Sequence, residues 1–249
     1  MPFPPKGNSV RKEIPRMENR VVLGCSSMDA YIAAAQKAAD TDYPVVLIDR
    51  SYHSEPPKMR EQLLTALDAT PADAVILIAM GFCGGSWDNV VCPRTLVLPH
   101  VDDCITLLMH TPAVRGVDLK EPGHFYLVND TQRELAPETI YEHLKEEYGP
   151  ENGPYIFEDW FRNYTSVDVV DTGFNRCHTR EYQDLAQRNA DLIGATWQYV
   201  PGSNILLEKL LRGDWDEDFR VFQKGEKITA LDFLPPDALY FQYNPSALG

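Results

Sequence analysis

Three of the five cysteines in this 249-residue chain lie in one short segment, GFCGGSWDNVVCPRTLVLPHVDDC, at residues 81–104. Thiols bind soft metals, act as redox groups, form disulfides or pack as small apolar residues, so several interpretations compete. The first twenty residues contain no apolar secretory core, and we therefore expect a cytoplasmic protein with reduced thiols. An odd number of cysteines also fits a disulfide framework poorly. The disulfide interpretation is set aside.

Potential metal ligands follow four predicted strands in succession. Cys25 ends the first strand, His53 lies in the loop after the second, Cys83 follows the third, and Cys104 follows the fourth. The carboxyl ends of parallel strands share one edge of a sheet, so these side chains are expected to converge. Three thiolates and an imidazole suit tetrahedral zinc, and three thiolates also suit an iron–sulfur cluster with one open iron. No C-x-x-C pair is present, so packing in a core stays open as the alternative.

Other residues near strand ends are candidates for catalysis or cofactor binding. We predict catalytic roles for His53, Asp103 and Asp171. Backbone close to a cofactor is predicted at five further positions: Gly81, Gly84, Gly85, Thr172 and Gly173. The G-x-x-G-G spacing is neither a dinucleotide fingerprint nor a P-loop, so a tight turn is the minimum role of the first three. Cys177 and His178 in the following loop are interpreted as incidental, and Cys92 as structural.

The charge balance restricts the partners. The chain has 23 basic and 37 acidic side chains, which gives a formal charge of −14. Such a field repels nucleic-acid phosphates and anionic membrane surfaces. The longest strongly apolar run, AVILIAMGF, is too short to cross a bilayer. We therefore expect a small-molecule substrate, no nucleic acid and no membrane, and we leave oligomerisation open.

The hydrophobic pattern predicts an α/β fold with parallel sheets. Strands such as AVILIAM are continuous apolar runs, which is typical of strands covered on both faces. β-α-β-α-β patterns begin near Val21 and near Val167, and FRVFQ is expected to close the second one. The segment NILLEKLLRG predicts a helix that ends at Gly213. These patterns predict two Rossmann-like halves with a cleft between them and a possible internal duplication.

Composition shifts divide the chain into five predicted regions. They are an extended N-terminal arm (1–20), a first α/β half with cysteines at its strand ends (21–130), a helical bridge (131–165), a second α/β half (166–225) and a C-terminal tail (226–249).

The segments GFCGG and LVLPHVDDCITLL, with YGPENGPYIFEDW and LLRGDWDEDF, resemble a prokaryotic family of unknown function, numbered sixteen-thirty-eight. The resemblance covers most of residues 21–225 and includes Cys25, the H-x-x-P motif at His53–Pro56 and the P-x-x-x-D-C motif at Pro99–Cys104. Two departures stand out. Asp102 occupies a position where the family often has histidine, and VND replaces a proline–glycine–tryptophan after the strand near Tyr126.

The resemblance implies a metal site and a reaction context. Because Cys25, His53, Cys83 and Cys104 fall on the family motifs, it favours metal binding over packing. Similar proteins are often encoded beside corrinoid-dependent methyltransferases, which implies methyl or sulfur transfer in one-carbon metabolism by a metal-dependent transferase or lyase. A corrinoid methyltransferase component is then a possible partner.

Two alternatives stay open beside that enzyme. One is a non-catalytic module that binds a corrinoid or a corrinoid protein, with a docking surface around Trp87 and Trp215. The other is a protein with a purely structural zinc site.

Overall fold

The computed structural model describes residues 19–128 and 135–234. The predicted N-terminal arm lies outside these ranges except for residues 19 and 20, as do the start of the predicted bridge and most of the predicted tail. Within the described ranges, no helix has the length and the hydropathy needed to span a membrane.

A five-stranded sheet forms the larger half, in the order β2-β1-β3-β4-β8. Its first four strands are parallel and β8 pairs antiparallel with β4. The strands are β1 (Arg20–Cys25), β2 (Val45–Ile48), β3 (Val75–Ala79), β4 (Thr95–Pro99) and β8 (Phe219–Phe222). Every residue of β3 is buried, as expected for a strand covered on both faces.

Four helices cover this sheet and share one hydrophobic core with it. The helix α6 packs against α1 and also contacts β3 and β4, while α2 packs beside β2. The apolar positions of α6 recur at helical spacing, and all four of its buried residues are leucines. The helices are α1 (Asp29–Ala39), α2 (Pro56–Ala69), α3 (Cys104–Met109) and α6 (Ile205–Arg212). Gly213 ends α6 in a left-handed conformation, which confirms the predicted stop.

A three-stranded parallel sheet, in the order β5-β6-β7, forms the smaller half. The helix α5 packs against β6 and β7, and it also contacts the long helix α4, which is kinked at Gly149. The elements are β5 (His124–Leu127), α4 (Pro137–Phe161), β6 (Ser166–Asp171), α5 (Arg180–Leu192) and β7 (Thr196–Pro201).

The α/β class with parallel sheets is confirmed, but the predicted composition of the two halves is wrong for two strands and for the helix NILLEKLLRG (α6), which packs on the first sheet. FRVFQ does not close the second half, because β8 returns to the first sheet and pairs with β4. The strand β5 precedes the predicted bridge yet belongs to the second sheet, beside β6. Apolar periodicity identifies a strand but not the strand with which it pairs, and this is the cause of both strand errors. The internal duplication and the five region boundaries stay predictions.

Candidate functional site

Two cysteines from the segment at residues 81–104 meet at the carboxyl end of the first sheet. The Sγ atoms of Cys83 and Cys104 are 3.7 Å apart, and both residues are buried. Cys83 has a left-handed backbone, with φ of 48°, and its N–H donates to the carbonyl of Asp102 at 2.7 Å. Cys104 begins α3, whose N-cap Asp103 accepts from the N–H of Thr106. The two loops are therefore held together by backbone contacts, and the thiol pair follows from them.

Cys25 approaches this pair from the end of β1. It is buried and accepts a hydrogen bond from the hydroxyl of Ser27 at 3.1 Å. Burial and the neighbouring Cys104 raise the pKa of the Cys25 thiol. The hydrogen bond with Cys104, followed by burial, raises the pKa of the Cys83 thiol well above its ordinary value. Without a cation, the thiols of Cys25 and Cys83 hold their protons at neutral pH.

The predicted four-ligand set is only partly assembled. The sulfur atoms of Cys25, Cys83 and Cys104 do not all lie within 4.8 Å of one another, although those of the last two are in contact. His53 lies in a 3-10 turn after β2 and is exposed. The thiol pair is thus the organised part of the site, and Cys25 and His53 lie around it.

A cavity of about 820 Å³ adjoins Cys25 and Cys104 and is lined by residues from both halves. From the first sheet, its wall includes Cys25, Cys104, His53 and Asp103, so three predicted ligands and two predicted catalytic residues face one space. From the second half, β5 contributes all four of its residues, and Ile140 of α4 adds to the wall. This cavity is the predicted cleft between the halves.

A lysine neutralises the acidic pair beside Cys104. The ammonium of Lys120 contacts the carboxylate of Asp102 and lies 3.2 Å from that of Asp103 and 2.8 Å from that of Asp118. Burial, followed by the charge of Asp103, raises the pKa of Asp102, whose Oδ1 is buried with no hydrogen-bond partner. Asp102 therefore takes part in an ion cluster with Asp103 and Lys120, two residues of the cavity wall.

The three glycines of the cysteine segment shape the turn after β3. A Cβ at Gly81 would lie 2.5 Å from the Cα of Asp103, so glycine is what allows the two strand-end loops to touch. Gly84 and Gly85 both have positive φ, at 62° and 83°, which favours glycine. The guanidinium of Arg60 donates to the carbonyl of Gly85 at 3.2 Å. These contacts give the glycines a structural role, and their predicted contact with a cofactor stays a prediction.

The predicted residues of the second half lie at the end of β6, outside the set that lines the cavity. The carboxylate of Asp171 is 2.7 Å from Nε2 of His178 and also accepts from the N–H of Gly173 at 2.9 Å. The bond from Gly173 helps to lower the pKa of Asp171, whereas burial and the charge of Asp171 raise that of Cys177 to about 11. The side chains of Cys177 and His178, interpreted from the sequence as incidental, lie beside that of Asp171, with one ligand atom from each of the three within 4.8 Å of the other two. Thr172 accepts from two following N–H groups and holds this turn.

A histidine–carboxylate pair that was not predicted from the sequence faces the cavity. Nδ1 of His124 lies 2.8 Å from Oδ2 of Asp168, and the side chain of Asp168 is only 3% exposed. The other oxygen of Asp168 accepts from the hydroxyl of Ser166 and from Nε2 of Gln198 at 3.0 Å. A fixed Nδ1 leaves Nε2 as the atom that can exchange a proton. The available signal was an aspartate inside the apolar strand SVDVVD.

The two tryptophans of the predicted docking surface differ in exposure. Trp87 has no exposed surface, and Trp215 is half-buried, with its indole N–H donating to the carbonyl of Leu210 at 2.8 Å. The guanidinium of Arg20 lies 5.2 Å from the ring of Trp215. Both tryptophans have structural contacts, and the docking surface around them stays a prediction.

The fold and the cavity define a mixed α/β protein with a cleft between two parallel sheets and thiols on one wall. Its family follows from comparison with known sequences. Residues 47–211 match the model of a family described as "Protein of unknown function (DUF1638)". That match covers more than half of the chain, so the protein belongs to this family, and it includes His53, Cys83 and Cys104 but not Cys25.

The other comparisons add no relative of known activity. No curated protein and no solved structure matches the chain significantly. Chemistry must therefore be argued from the site itself.

Proposed function

We propose that the cleft is the active site of a metal-dependent enzyme for the transfer of a small group, methyl or sulfur. In this proposal, Cys83 and Cys104 bind the metal ion and Cys25 completes the set of thiolates. The observation that carries the proposal is the separation of 3.7 Å between two buried sulfur atoms, one of them on the wall of a cavity of about 820 Å³. Two thiolates on one tetrahedral zinc ion lie about 3.8 Å apart, because each Zn–S bond is about 2.3 Å long.

The same separation favours one ion over a four-iron cluster. In a cubane cluster each cysteine binds a different iron atom, which spreads the sulfur atoms further than one shared ion does. Zinc or another single thiophilic ion therefore fits the pair better, and iron–sulfur chemistry is an outcome that the experiment below separates. A bound ion of this kind supplies an electrophilic centre or an activated thiolate at neutral pH.

The opposite wall of the cleft supplies proton transfer. Asp168 holds the imidazole of His124 at Nδ1, and the imidazole lines the same cavity as Cys104. A histidine oriented by a buried carboxylate is a common general acid or base. His53 and Asp103 line the cavity as well, where they contact the substrate or exchange a proton with it.

The size of the cavity supports a small-molecule substrate. Small-molecule sites typically have volumes of roughly 300–1,000 Å³. The wall of this cavity combines aromatic residues such as Phe125 and Tyr164 with a few polar groups. The resemblance to the family adds corrinoid-dependent methyl transfer as the metabolic context. The chain lacks the D-x-H-x-x-G string with which common corrinoid proteins bind the corrinoid, so we propose a partner of such a protein.

Metal content tests this proposal directly. Protein purified anaerobically without chelator is assayed for zinc, iron and acid-labile sulfide, together with the variants Cys83→Ser and Cys92→Ser. Cys92 is an equally buried cysteine outside the thiol pair and serves as the matched control. We expect one ion per chain that depends on the thiol pair, apart from any ion bound outside the cleft. The ion should be lost in Cys83→Ser and retained in Cys92→Ser.

Other results would redirect or overturn the proposal. Iron with equivalent sulfide would replace the single ion by a cluster. A protein without metal whose Cys83 and Cys104 form a disulfide would overturn the metal site in favour of a thiol redox pair. A structural zinc site would reveal itself if chelation unfolded the chain, whereas the proposed catalytic site predicts that the fold survives metal removal.

A further inference from the structure

A second group of potential metal ligands lies at the carboxyl end of the second sheet. One ligand atom from each of Asp171, Cys177 and His178 lies within 4.8 Å of the other two. Among the described residues, no other group of three or more His, Cys, Asp or Glu side chains brings its ligand atoms within 4.8 Å of one another. None of the three lines the cleft, so the proposed active site does not account for them.

The loop that carries these side chains is held by contacts through its backbone. Nδ2 of Asn175 donates to the carbonyls of Val128 and Val170, at 2.9 and 2.7 Å, and so ties the loop to β6. The hydroxyl of Tyr199 donates to the carbonyl of Cys177 at 3.1 Å. Because these bonds involve main-chain carbonyls, they position the thiol without using its sulfur atom.

The imidazole and the carboxylate are placed as well. The ring of His178 packs against that of Tyr199, with centroids 4.6 Å apart, and its Nε2 is 2.7 Å from Oδ2 of Asp171. Asp171 is fixed by the N–H of Gly173 and by its own carbonyl, which accepts from the N–H of Gly202 at 2.9 Å. All three donor atoms therefore converge before any ion binds.

The donor set and its burial match a zinc-class ion. Thiolate sulfur, imidazole nitrogen and carboxylate oxygen are the three ligand types that zinc takes in proteins. Cys177 is fully buried, whereas the side chain of His178 is 63% exposed, so the group opens outward. Three protein ligands with one side open to solvent leave a fourth position for water.

The geometry points to a second metal site, formed by Asp171, Cys177 and His178, that binds a zinc-class divalent cation with water as the remaining ligand. An ion there links the end of β6 to the start of α5 and holds the loop between them. This site is independent of the cleft and of the function proposed for it.

Titration with Co²⁺, followed by absorption spectroscopy, tests the second site on the reduced, metal-free full-length chain. Thiolate ligands give a near-ultraviolet charge-transfer band, and tetrahedral Co²⁺ gives visible bands. His178→Ala and Asp171→Asn should each lower the affinity for one Co²⁺ equivalent by about tenfold or more. Cys177→Ser should remove its thiolate band. His143→Ala is the matched control, because that exposed histidine also lies near a carboxylate, Glu147, at 3.3 Å.

The two sites are separated by combining variants. In Cys83→Ser protein, one Co²⁺ equivalent that depends on His178 should remain. If Co²⁺ binding is unchanged in His178→Ala and Asp171→Asn, the second site is overturned. It is also overturned if Cys83→Ser alone abolishes all binding, a result that leaves the cleft site standing. A single equivalent that depends on His178 and not on Cys83 would support the second site and contradict the first.

Discussion

The two sheets present potential metal ligands at equivalent edges, but in different surroundings. At the first sheet, Cys83 and Cys104 are each 7% exposed, and Cys104 lines a cavity of about 820 Å³. At the second sheet, Cys177 is buried but His178 is 63% exposed at the surface. The same strand-end geometry thus places one cluster beside space for a substrate and the other at an open surface.

The difference in ligands follows the difference in enclosure. A thiol pair in a buried position stays neutral until a cation arrives, because its charged form is poorly solvated there. A mixed set at the surface already contains an ionised carboxylate, Asp171, whose pKa is lowered by the N–H of Gly173. Enclosure therefore favours chemistry on a bound molecule at the first edge, and ion binding that holds a loop at the second.

Loss of one thiol at the first edge gives the largest expected difference in metal affinity between the two edges. Cys104→Ser should weaken metal binding in the cleft by about a hundredfold or more, because it removes a direct ligand from a site built around two sulfur atoms. The same substitution should leave binding at Asp171, Cys177 and His178 unchanged. Competition with a chromophoric zinc chelator measures both affinities. Equal weakening at both edges would mean that the sites are one.

Glycine substitutions compare the packing of the two edges. Gly81→Ala should destabilise the fold by about 3 kcal/mol, since its Cβ would lie 2.5 Å from the backbone of Asp103. Gly173→Ala should cost only about 1 kcal/mol, because φ is 68° there but a Cβ would meet nothing within 4 Å. Urea denaturation measures both. Equal costs would contradict the tighter packing inferred for the first edge.

The histidine–carboxylate pair of β5 and β6 tests whether the second sheet also serves the cleft. Asp168→Asn should destabilise the protein by about 2 kcal/mol, because an amide cannot accept from every donor around this buried carboxylate. It should also change the NMR signals of the His124 ring, because Nδ1 loses its carboxylate partner. Asp159→Asn, a surface change beside Arg162, should cost less than about 0.5 kcal/mol. Unchanged NMR signals from the His124 ring would remove Asp168 as its positioning residue.

The number of protons released on metal binding is the smallest expected difference between the two edges, and it discriminates best between their ligand sets. Each thiol must lose its proton to bind a metal, so affinity rises with pH at both edges. The pKa values of Cys25 and Cys83 are both raised, so the cleft site should release two or more protons per ion. The second site contains one thiol, Cys177, and should release about one proton. Calorimetry in buffers of different ionisation enthalpy counts them, and equal counts would contradict the assignment.

Much of this arrangement follows from local sequence, and the rest depends on long-range contacts. Continuous apolar runs predicted the parallel strands, and their ends correctly located Cys25 and Cys104 on the cleft. The pairing of β8 with β4 was not predicted, because an apolar run indicates a strand but not the strand with which it pairs. The contact between Asp171 and His178 depends on how a loop folds back, and the bond between Asp168 and His124 joins two strands.

The most direct test of the cleft site is X-ray absorption at the zinc edge, measured on the Cys177→Ser variant so that the cleft ion dominates. We predict a first shell with at least two sulfur atoms at about 2.3 Å. That result would place the ion on Cys83 and Cys104, with Cys25 as the expected third sulfur. A first shell of nitrogen and oxygen alone would contradict the account, because no arrangement of the thiol pair around the ion produces it.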